Sequence, residues 1–296
     1  MIFEENFSDN ESRLLGEIAP SRKRSFSWRL FAVIATSALL CGIIILALVY
    51  HFKREAMVEQ RLEVLSASKI QQQLEMPQPL HDWLVSLDSV DERVVVNKDT
   101  VVNDIPLHIY VPLNMAPHME VGREIAKNPG TALLFFEAAD VRADNGKIVG
   151  AFVLKGKPLS LGLSKRGYCA IIDSVVYVGV ADNSPLFEEA TEKEGDFFRQ
   201  YPLVDKGNLV ENELKNKSFR RALCDIDNHI AVVETQTRES LHDFAQALID
   251  IGTFNAIYLV GGDAMGWSID EDGNGYEIGD WSNRKHKNIS FIVWTK

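Results

Sequence analysis

The amino-acid sequence predicts an α+β protein: a mixed β-sheet domain with few packed helices, preceded by a single transmembrane helix and a helical stalk. Three observations lead to this prediction. Residues 30–50 carry no charged side chain and are numerous enough to cross a bilayer as one helix. Apolar residues then recur at roughly helical spacing as far as residue 76. From about residue 79, short apolar segments alternate with turn residues, which is typical of β-strands.

The predicted transmembrane helix spans residues 29–52. Basic residues are slightly more frequent before its uncharged run, residues 30–50, than after it: Arg22, Lys23, Arg24 and Arg29 precede the run, and Lys53, Arg54 and Arg61 follow it. This positive-inside bias favours a cytoplasmic N-terminus, with a disordered tail over residues 1–28. The apolar run is longer than that of a signal peptide, and no small-residue cleavage site follows it. We therefore expect a retained signal-anchor and single-pass membrane attachment, with the C-terminal domain extracytoplasmic, in the periplasm of a bacterium.

Residues 53–78 are predicted to form a juxtamembrane helical stalk. Apolar side chains recur on one face of the expected helix: Met57, Leu62, Leu65, Ile70 and Leu74. Pro77 and Pro79 are expected to end it. The same face could serve self-association, but its heptads are irregular, which favours a plain stalk.

The domain from residue 79 to residue 296 is predicted to consist mainly of strands. They are expected at 92–97, 106–113, 131–140, 147–156, 167–172, 175–181, 229–235, 255–262 and 288–296. Several are apolar on both faces, as in central strands covered on both sides. Helices are expected at 119–128 and 238–252, the second with Ser240 near its start and Gly252 just beyond its end.

Charge and cysteine content exclude some classes of protein. The chain has 31 Lys and Arg against 42 Asp and Glu, a net charge of -11, so a nucleic-acid partner is not expected. Cys169 and Cys224 lie in apolar, strand-like contexts. Export would permit a disulfide between them, but two buried free thiols are the favoured interpretation.

The C-terminal third carries an order of segments that points to a family. An Arg-rich strand entry over 219–235 leads to the helix at 240–252, the strand at 255–262, a glycine-rich loop and a closing strand. This order resembles the phosphodiester glycosidase family, whose best-known activity removes N-acetylglucosamine from a sugar phosphodiester. Segments 138–160 and 197–210 resemble that family's early strand-and-turn element and its Gln-x-Gly-Pro-x-Leu element. The resemblance covers roughly residues 92–296.

The sequence departs from the family pattern at several motif positions. Val260 stands where the family usually has aspartate, Asp263 occupies its third glycine position, and Ala264 replaces its serine. Ala222 replaces its threonine, and Tyr201 replaces the glycine of its Gln-x-Gly-Pro element. The chain therefore resembles a divergent, membrane-anchored bacterial branch.

The resemblance implies cleavage at an anomeric carbon, for which a general acid and a base or nucleophile are needed. The candidate catalytic carboxylates are Asp263, Asp140, Glu137 and Asp243. The candidate substrate-binding residues are Arg142, Gln200, Arg220, Arg221, Gly261, Gly262, His242 and Trp267. Guanidinium groups bind phosphate in a bidentate manner, and aromatic rings stack on sugars. The ligand is expected to be a glycan or a sugar phosphate.

Each candidate also has a plainer interpretation. Asp263 is a common turn residue, and 140–146 fits a hairpin turn. His242 on a helix is more often a surface residue, and Trp267 more often belongs to a core.

A calcium loop competes with a hairpin turn at Asp270, Asp272 and Asn274. These residues match positions 1, 3 and 5 of such a loop, but Trp281 occupies the position of its bidentate glutamate. We expect a turn without a metal, and no organic cofactor.

Two functions remain open from the sequence. The first is a membrane-anchored glycosidase that hydrolyses a sugar phosphodiester or related glycosidic bond. The second is a non-catalytic glycan-binding or envelope-assembly protein on the same fold, which Val260, Ala264 and Ala222 favour. Partner binding through residues 55–76 is compatible with either.

Overall fold

The computed structural model describes residues 39–53, 77–142, 144–213, 216–261, 264–270, 272–282 and 289–296. They belong to two compact units, 1–60 and 61–296. The described part of the first unit is helix α1, residues 39–53, whose apolar side chains are largely exposed. Over the described residues, no helix has the length and apolarity needed to span a bilayer. The predicted tail, part of the predicted transmembrane helix and most of the predicted stalk lie outside the described residues.

The second unit is built mainly from strands. Its helices are α2 (Gln78–Leu87), α3 (Glu124–Lys127), α4 (Leu186–Glu192) and α5 (Leu241–Asp250). Its strands are β1 (Val94–Val102), β2 (Ile105–Leu113), β3 (Pro117–Val121), β4 (Ala132–Glu137), β5 (Ala151–Leu154), β6 (Lys157–Leu161), β7 (Gly167–Ile172), β8 (Val175–Val180), β9 (Asp196–Gln200), β10 (Pro202–Asp205), β11 (Asn208–Leu209), β12 (Arg221–Ile226), β13 (His229–Thr235), β14 (Thr253–Leu259), β15 (Gly266–Ile269), β16 (Gly275–Ile278) and β17 (Ser290–Thr295).

These strands form three sheets. Sheet I has the order β1-β2-β13-β12-β14-β10-β11, sheet II the order β16-β15-β4-β17-β3, and sheet III the order β6-β5-β9-β7-β8. The prediction of a mixed sheet is wrong, because every pairing between these described strands is antiparallel. Short hairpins explain the difference. The turns at 103–104 and 227–228 each have two successive residues at positive φ, a conformation that reverses the chain and places the next strand antiparallel to the one before it.

The three sheets enclose one central core. Leu223 and Ile257 of sheet I, Phe136 and Trp294 of sheet II, and Phe198 of sheet III all belong to it. Because side chains alternate along a strand, the other face of sheet I carries a second apolar set. Helices α2 and α5 cover that face, and α3 and α4 cover the outer faces of sheets II and III. Covering on both faces explains the continuous apolar runs in the sequence.

The predicted strands agree with the structure, but the predicted helix at 119–128 differs, and helices α2 and α4 and the short strands β6, β9, β10, β11, β15 and β16 were not predicted. The segment 119–128 begins as strand, because β3 pairs with β17, and only α3 is helical. Helix α2 begins directly after Pro77, since proline is tolerated at a helix start, and the predicted end of the stalk helix before Pro77 lies outside the described residues. Helix α5 is confirmed, with Ser240 as its N-cap. Cys169 and Cys224 are free and buried, as predicted.

The chain crosses from sheet III to sheet I at Tyr201. Gln200 ends β9 and pairs with Gly167, while Pro202 begins β10 and pairs with Ile257. A Cβ on Gly167 would lie 2.6 Å from the Gln200 carbonyl oxygen and 2.9 Å from the Pro202 nitrogen. Only glycine allows this approach. The crossing brings the ends of the three sheets together and defines the candidate site.

Candidate functional site

A row of polar side chains crosses one end of sheet I. Asp99 of β1 pairs with His108 of β2, His108 with Glu234 of β13, and Glu234 with Arg221 of β12. Residues in register on neighbouring strands point to the same face of a sheet. Arg221 is two residues from the core residue Leu223, so this row lies on the face that meets the other two sheets.

Arg221 anchors the glycine-rich loop to this row. Its Nε and Nη2 donate to the same Glu234 oxygen at 3.0 and 2.8 Å, and the ion pair is largely buried. Its Nη1 lies 3.4 Å from the carbonyl oxygens of Val260 and Ala264, which flank Gly262 and Asp263. The guanidinium carbon lies 4.4 Å from the Phe136 ring centroid. Arg221 therefore makes four hydrogen bonds to protein groups and holds both ends of the loop.

Tyr110 completes the buried network around Glu234. Its hydroxyl donates to the other Glu234 oxygen at 2.9 Å, and its ring lies 5.2 Å from that of Phe136. Burial, followed by the charge of Glu234, raises the pKa of Tyr110. The phenol thus stays a hydrogen-bond donor.

A second polar cluster lies where the three sheets meet. The Lys165 ammonium contacts the Asp140 carboxylate, donates to the Gln200 side-chain oxygen at 2.8 Å and lies 4.5 Å from the Tyr201 ring centroid. The Gln200 amide nitrogen donates to the Ala138 carbonyl at 3.1 Å, just beyond β4. The lysine side chain is 5% exposed and that of Asp140 is 31% exposed, so the carboxylate faces outwards.

The backbone and burial of Lys165 show that it is held in place. Its φ of 73° lies in the left-handed region, which is costly for a residue other than glycine. The Arg199 Nη1 donates to its carbonyl at 2.9 Å. Burial lowers the pKa of Lys165, and the neighbouring Asp140 carboxylate acts in the opposite direction. Asp140 therefore offsets part of the cost of burying the ammonium.

The two clusters border the same end of the sheets. The Glu137 N–H, at the end of β4, donates to the Met265 carbonyl at 3.1 Å, next to Ala264. The Ser290 hydroxyl accepts from the Ala139 N–H at 3.0 Å, which fixes the segment that leads to Asp140. A cavity of about 300 Å3 opens beside the first cluster, lined by Phe219, Arg220, Arg221, Glu234, Thr235, Gln236, Gly261, Ile278 and Gly279.

Several of the predicted site residues therefore come together. Arg221 and Gly261 line the cavity, and Asp140 and Gln200 form the second cluster. Glu137 is fully buried at the end of β4. Gly262 and Asp263 lie outside the described residues.

The other predicted arginines are engaged elsewhere. Arg220 also lines the cavity, but its Nε donates to the Glu239 carbonyl at 2.8 Å and its Nη2 to the Asn216 carbonyl. Arg142 pairs with Asp144 in the exposed 140–146 turn. Neither guanidinium is positioned as an unengaged phosphate ligand.

The remaining predicted residues lie away from both clusters. Asp243 accepts a hydrogen bond from the Ser240 hydroxyl in the first turn of α5, and His242 pairs with Glu211 on the surface. Trp267 packs over Gly275 and lies 6.4 Å from the Trp281 ring, on the outer face of sheet II.

The residues weighed as a calcium loop, Asp270, Asp272 and Asn274, lie in the hairpin that connects β15 to β16. Asp270 accepts from the Asn274 backbone N–H at 2.7 Å, and this hydrogen bond lowers its pKa. Among the described residues, no group of three or more acidic, histidine or cysteine side chains is arranged to hold a metal ion.

Lys165, Glu234 and Tyr110 were not predicted. Glu234 had a detectable signal, because a carboxylate at a core-facing position of an apolar strand requires a cation. Lys165 had none, since the side chains it contacts, those of Asp140, Gln200 and Tyr201, are at least 25 residues away in sequence.

Comparison with known proteins supports a shared fold. No family model matches the chain, and no curated protein matches it. One similar solved structure is the zebrafish N-acetylglucosamine-1-phosphodiester alpha-N-acetylglucosaminidase catalytic domain, auto-inhibited by its pro-peptide. It has a TM-score of 0.49 and 16% identity, over 68% of this chain and 81% of that one. Another is a hypothetical protein from Synechocystis, with a TM-score of 0.52 and 13% identity, over 68% of this chain and 62% of that one. At this identity, the second similarity shows the fold alone.

The Arg221–Glu234 pair makes a testable prediction about stability. Arg221→Met leaves the Glu234 carboxylate largely buried without its cation, which should lower the free energy of unfolding by about 3–5 kcal/mol. Adding Glu234→Gln removes that charge and keeps an acceptor for Tyr110, so the double variant should recover at least about 2 kcal/mol. Urea unfolding of the single and double variants measures both values. A double variant no more stable than Arg221→Met would contradict this account.

Lys165 predicts a pH dependence of stability. Its pKa is lowered in the folded protein from an ordinary value of 10.5, so the unfolded chain binds more protons just below that pH. The contribution of Lys165 to stability should therefore rise as the pH increases towards 10.5. Unfolding free energies across this range, for the wild type and Lys165→Met, isolate the effect. The wild type should gain stability relative to the variant with pH; a constant difference would count against the lowered pKa.

Proposed function

We propose that this protein hydrolyses a sugar phosphodiester or a related glycosidic bond at the junction of its three sheets. The observation that carries the proposal is the buried Lys165 ammonium, paired with an Asp140 carboxylate that faces outwards. The sequence resemblance to phosphodiester glycosidases supplies the substrate class. The shared fold is compatible with it but does not determine an activity.

The two groups have complementary roles in this proposal. Asp140, with Lys165 beside it, is the carboxylate that acts as base or nucleophile. The ammonium, held by Gln200, provides the positive charge that an anionic substrate or a developing negative charge requires. Asp263 remains a candidate for the second carboxylate on sequence grounds. Arg221 keeps the loop that bears Asp263 attached to sheet I.

A non-catalytic glycan-binding protein is the second candidate function. The observation that favours it is that Arg220 and Arg221 already satisfy protein acceptors, so the predicted guanidinium ligands for a phosphate are occupied. The site would then recognise a sugar without cleaving a bond.

Turnover of defined substrates distinguishes these functions. The full chain should release sugar from at least one member of a panel of sugar phosphodiesters and nitrophenyl glycosides. Asp140→Asn and Lys165→Met should each lower kcat/KM by at least about 100-fold, because each removes a charge at the reacting group. Asp263→Asn tests the second carboxylate in the same assay.

The matched control is Arg166→Gln. Arg166 is the next residue along the chain, and it pairs with Asp182 on the surface at 2.7 Å. This variant should keep wild-type turnover. Saturable glycan binding without turnover would replace the hydrolase with the binding protein, and turnover that survives Asp140→Asn would remove Asp140 from the mechanism.

We also propose that the chain is a single-pass membrane protein with a cytoplasmic N-terminus and a periplasmic domain. The uncharged run at residues 30–50 and its basic flanks support this arrangement. Self-association through the 53–78 stalk would be compatible with it.

Reporter fusions at the C-terminus test the topology. A reporter that is active only in the periplasm should be active when fused after Lys296, and a cytoplasm-dependent reporter should be inactive. Reversing the charge bias with Arg22→Glu and Arg24→Glu should weaken this preference. Activity of the cytoplasmic reporter alone in the wild type would reverse the proposed orientation.

A further inference from the structure

A separate cavity lies beside the edge of sheet III. It has a volume of about 500 Å3 and is lined mainly by apolar residues, including Leu161, Leu163, Pro185 and Phe187. This volume lies in the range of small-ligand sites, roughly 300–1,000 Å3. Leu161 and Leu163 are 71% and 77% exposed, although leucine is usually buried. The cavity therefore offers an apolar wall that the protein itself leaves uncovered.

Arg199 also lines this cavity and is only 3% exposed. Its guanidinium donates to three backbone carbonyls, those of Lys165, Ala181 and Asp182, at 2.8–2.9 Å. The Asp182 carboxylate pairs instead with Arg166 on the surface. Neutral carbonyls satisfy some of the guanidinium donors but do not neutralise its charge.

One donor of Arg199 has no acceptor. Its Nε is buried and makes no hydrogen bond within the described part of the chain. Burial lowers the pKa of Arg199, as expected for a desolvated cation, while the charge of the nearby Asp182 carboxylate acts in the opposite direction. A buried guanidinium with an unsatisfied N–H is costly unless an acceptor completes it, and carboxylate or phosphate oxygens match its charge and geometry.

We propose that this cavity binds a small amphiphilic anion, with a carboxylate or phosphate head at Arg199 and an alkyl body against Leu161, Leu163 and Phe187. Glu188 lines the exposed rim, so a second negative charge on the ligand is disfavoured there. The ligand therefore carries one anionic head group, and its other end is apolar. This site does not depend on the proposed hydrolase activity.

Equilibrium binding of matched ten-carbon probes tests the site. The full chain is held in nanodiscs of zwitterionic lipid, and binding of labelled decanoate, decyl phosphate and decanol is measured below micelle-forming concentrations. Binding to empty discs is subtracted. At least one anion should saturate one site per chain, and decanol should bind at least about tenfold more weakly, because it lacks the charge that Arg199 requires. The better anion identifies the preferred head.

Two variants distinguish binding in this cavity from binding to the apolar N-terminal helix, because that helix is the same in every sample. Leu163→Ser removes part of the alkyl wall and should weaken anion binding about tenfold. Val101→Ser changes a residue that is 67% exposed on β1 of sheet I, and should leave binding unchanged. Neither change affects a buried side chain, so both variants should fold.

Arg199→Gln tests directly whether Arg199 binds the anionic head group, provided that the melting temperature of the variant stays close to that of the wild type. It should abolish the preference for the anions over decanol. Equal affinity for decanol and both anions in the wild type would overturn the proposal, and so would no saturable binding or equal binding by Leu163→Ser and Val101→Ser.

Discussion

The close approach of Gly167 to Gln200 is the constraint on which the rest of the domain depends. Two backbones meet there without a side chain between them, and a Cβ would lie 2.6 Å from a carbonyl oxygen. The contact lets the chain leave sheet III and enter sheet I within one residue, Tyr201. Because the same Gln200 reaches the Ala138 carbonyl through its amide, sheet II is joined at the same point. One residue therefore links all three sheets, and the central core fills the space between them.

The candidate site is a result of this junction. Lys165 lies two residues before Gly167, so the close approach of Gly167 to Gln200 also fixes where Lys165 lies in the domain. The Lys165 ammonium contacts the Asp140 carboxylate and donates to the Gln200 side chain. On sheet I, the row from Asp99 to Arg221 ends beside the glycine-rich loop. Charge is compensated in both places by partners from different strands. Buried charges require such partners, and the largely buried Lys165 and Arg221 each have a carboxylate within reach.

Local signals in the sequence predicted many of the strands and helix α5. Strand direction and part of the candidate site depend on contacts between residues distant in sequence, which such signals do not reveal. The Ser240 cap and the apolar face of α5 are local, and both are confirmed. The apolar runs at 131–140 and 229–235 do form strands, but a run buried on both faces does not reveal the direction of its neighbours. Strand direction came from two-residue turns whose positive φ values involve ordinary Asp and Asn residues. Asp140, Gln200 and Arg221 were predicted by resemblance. Lys165 and Tyr110 could not be, because their partners are distant in sequence.

The place of β17 has a consequence for the order of events during synthesis. It lies between β3 and β4 in sheet II, and Ser290 at its start fixes the backbone of Ala138 and Ala139. More than a hundred and fifty residues separate β4 from this partner, a number on the order of a whole domain. A chain that emerges from the ribosome in sequence order can form the hairpins of sheet III early. It cannot complete sheet II, or hold Asp140 in place, until residues 290–295 have been made. The hydrogen bonds between Ser290 and the segment that leads to Asp140 therefore form late, after the residues between the two strands have been made.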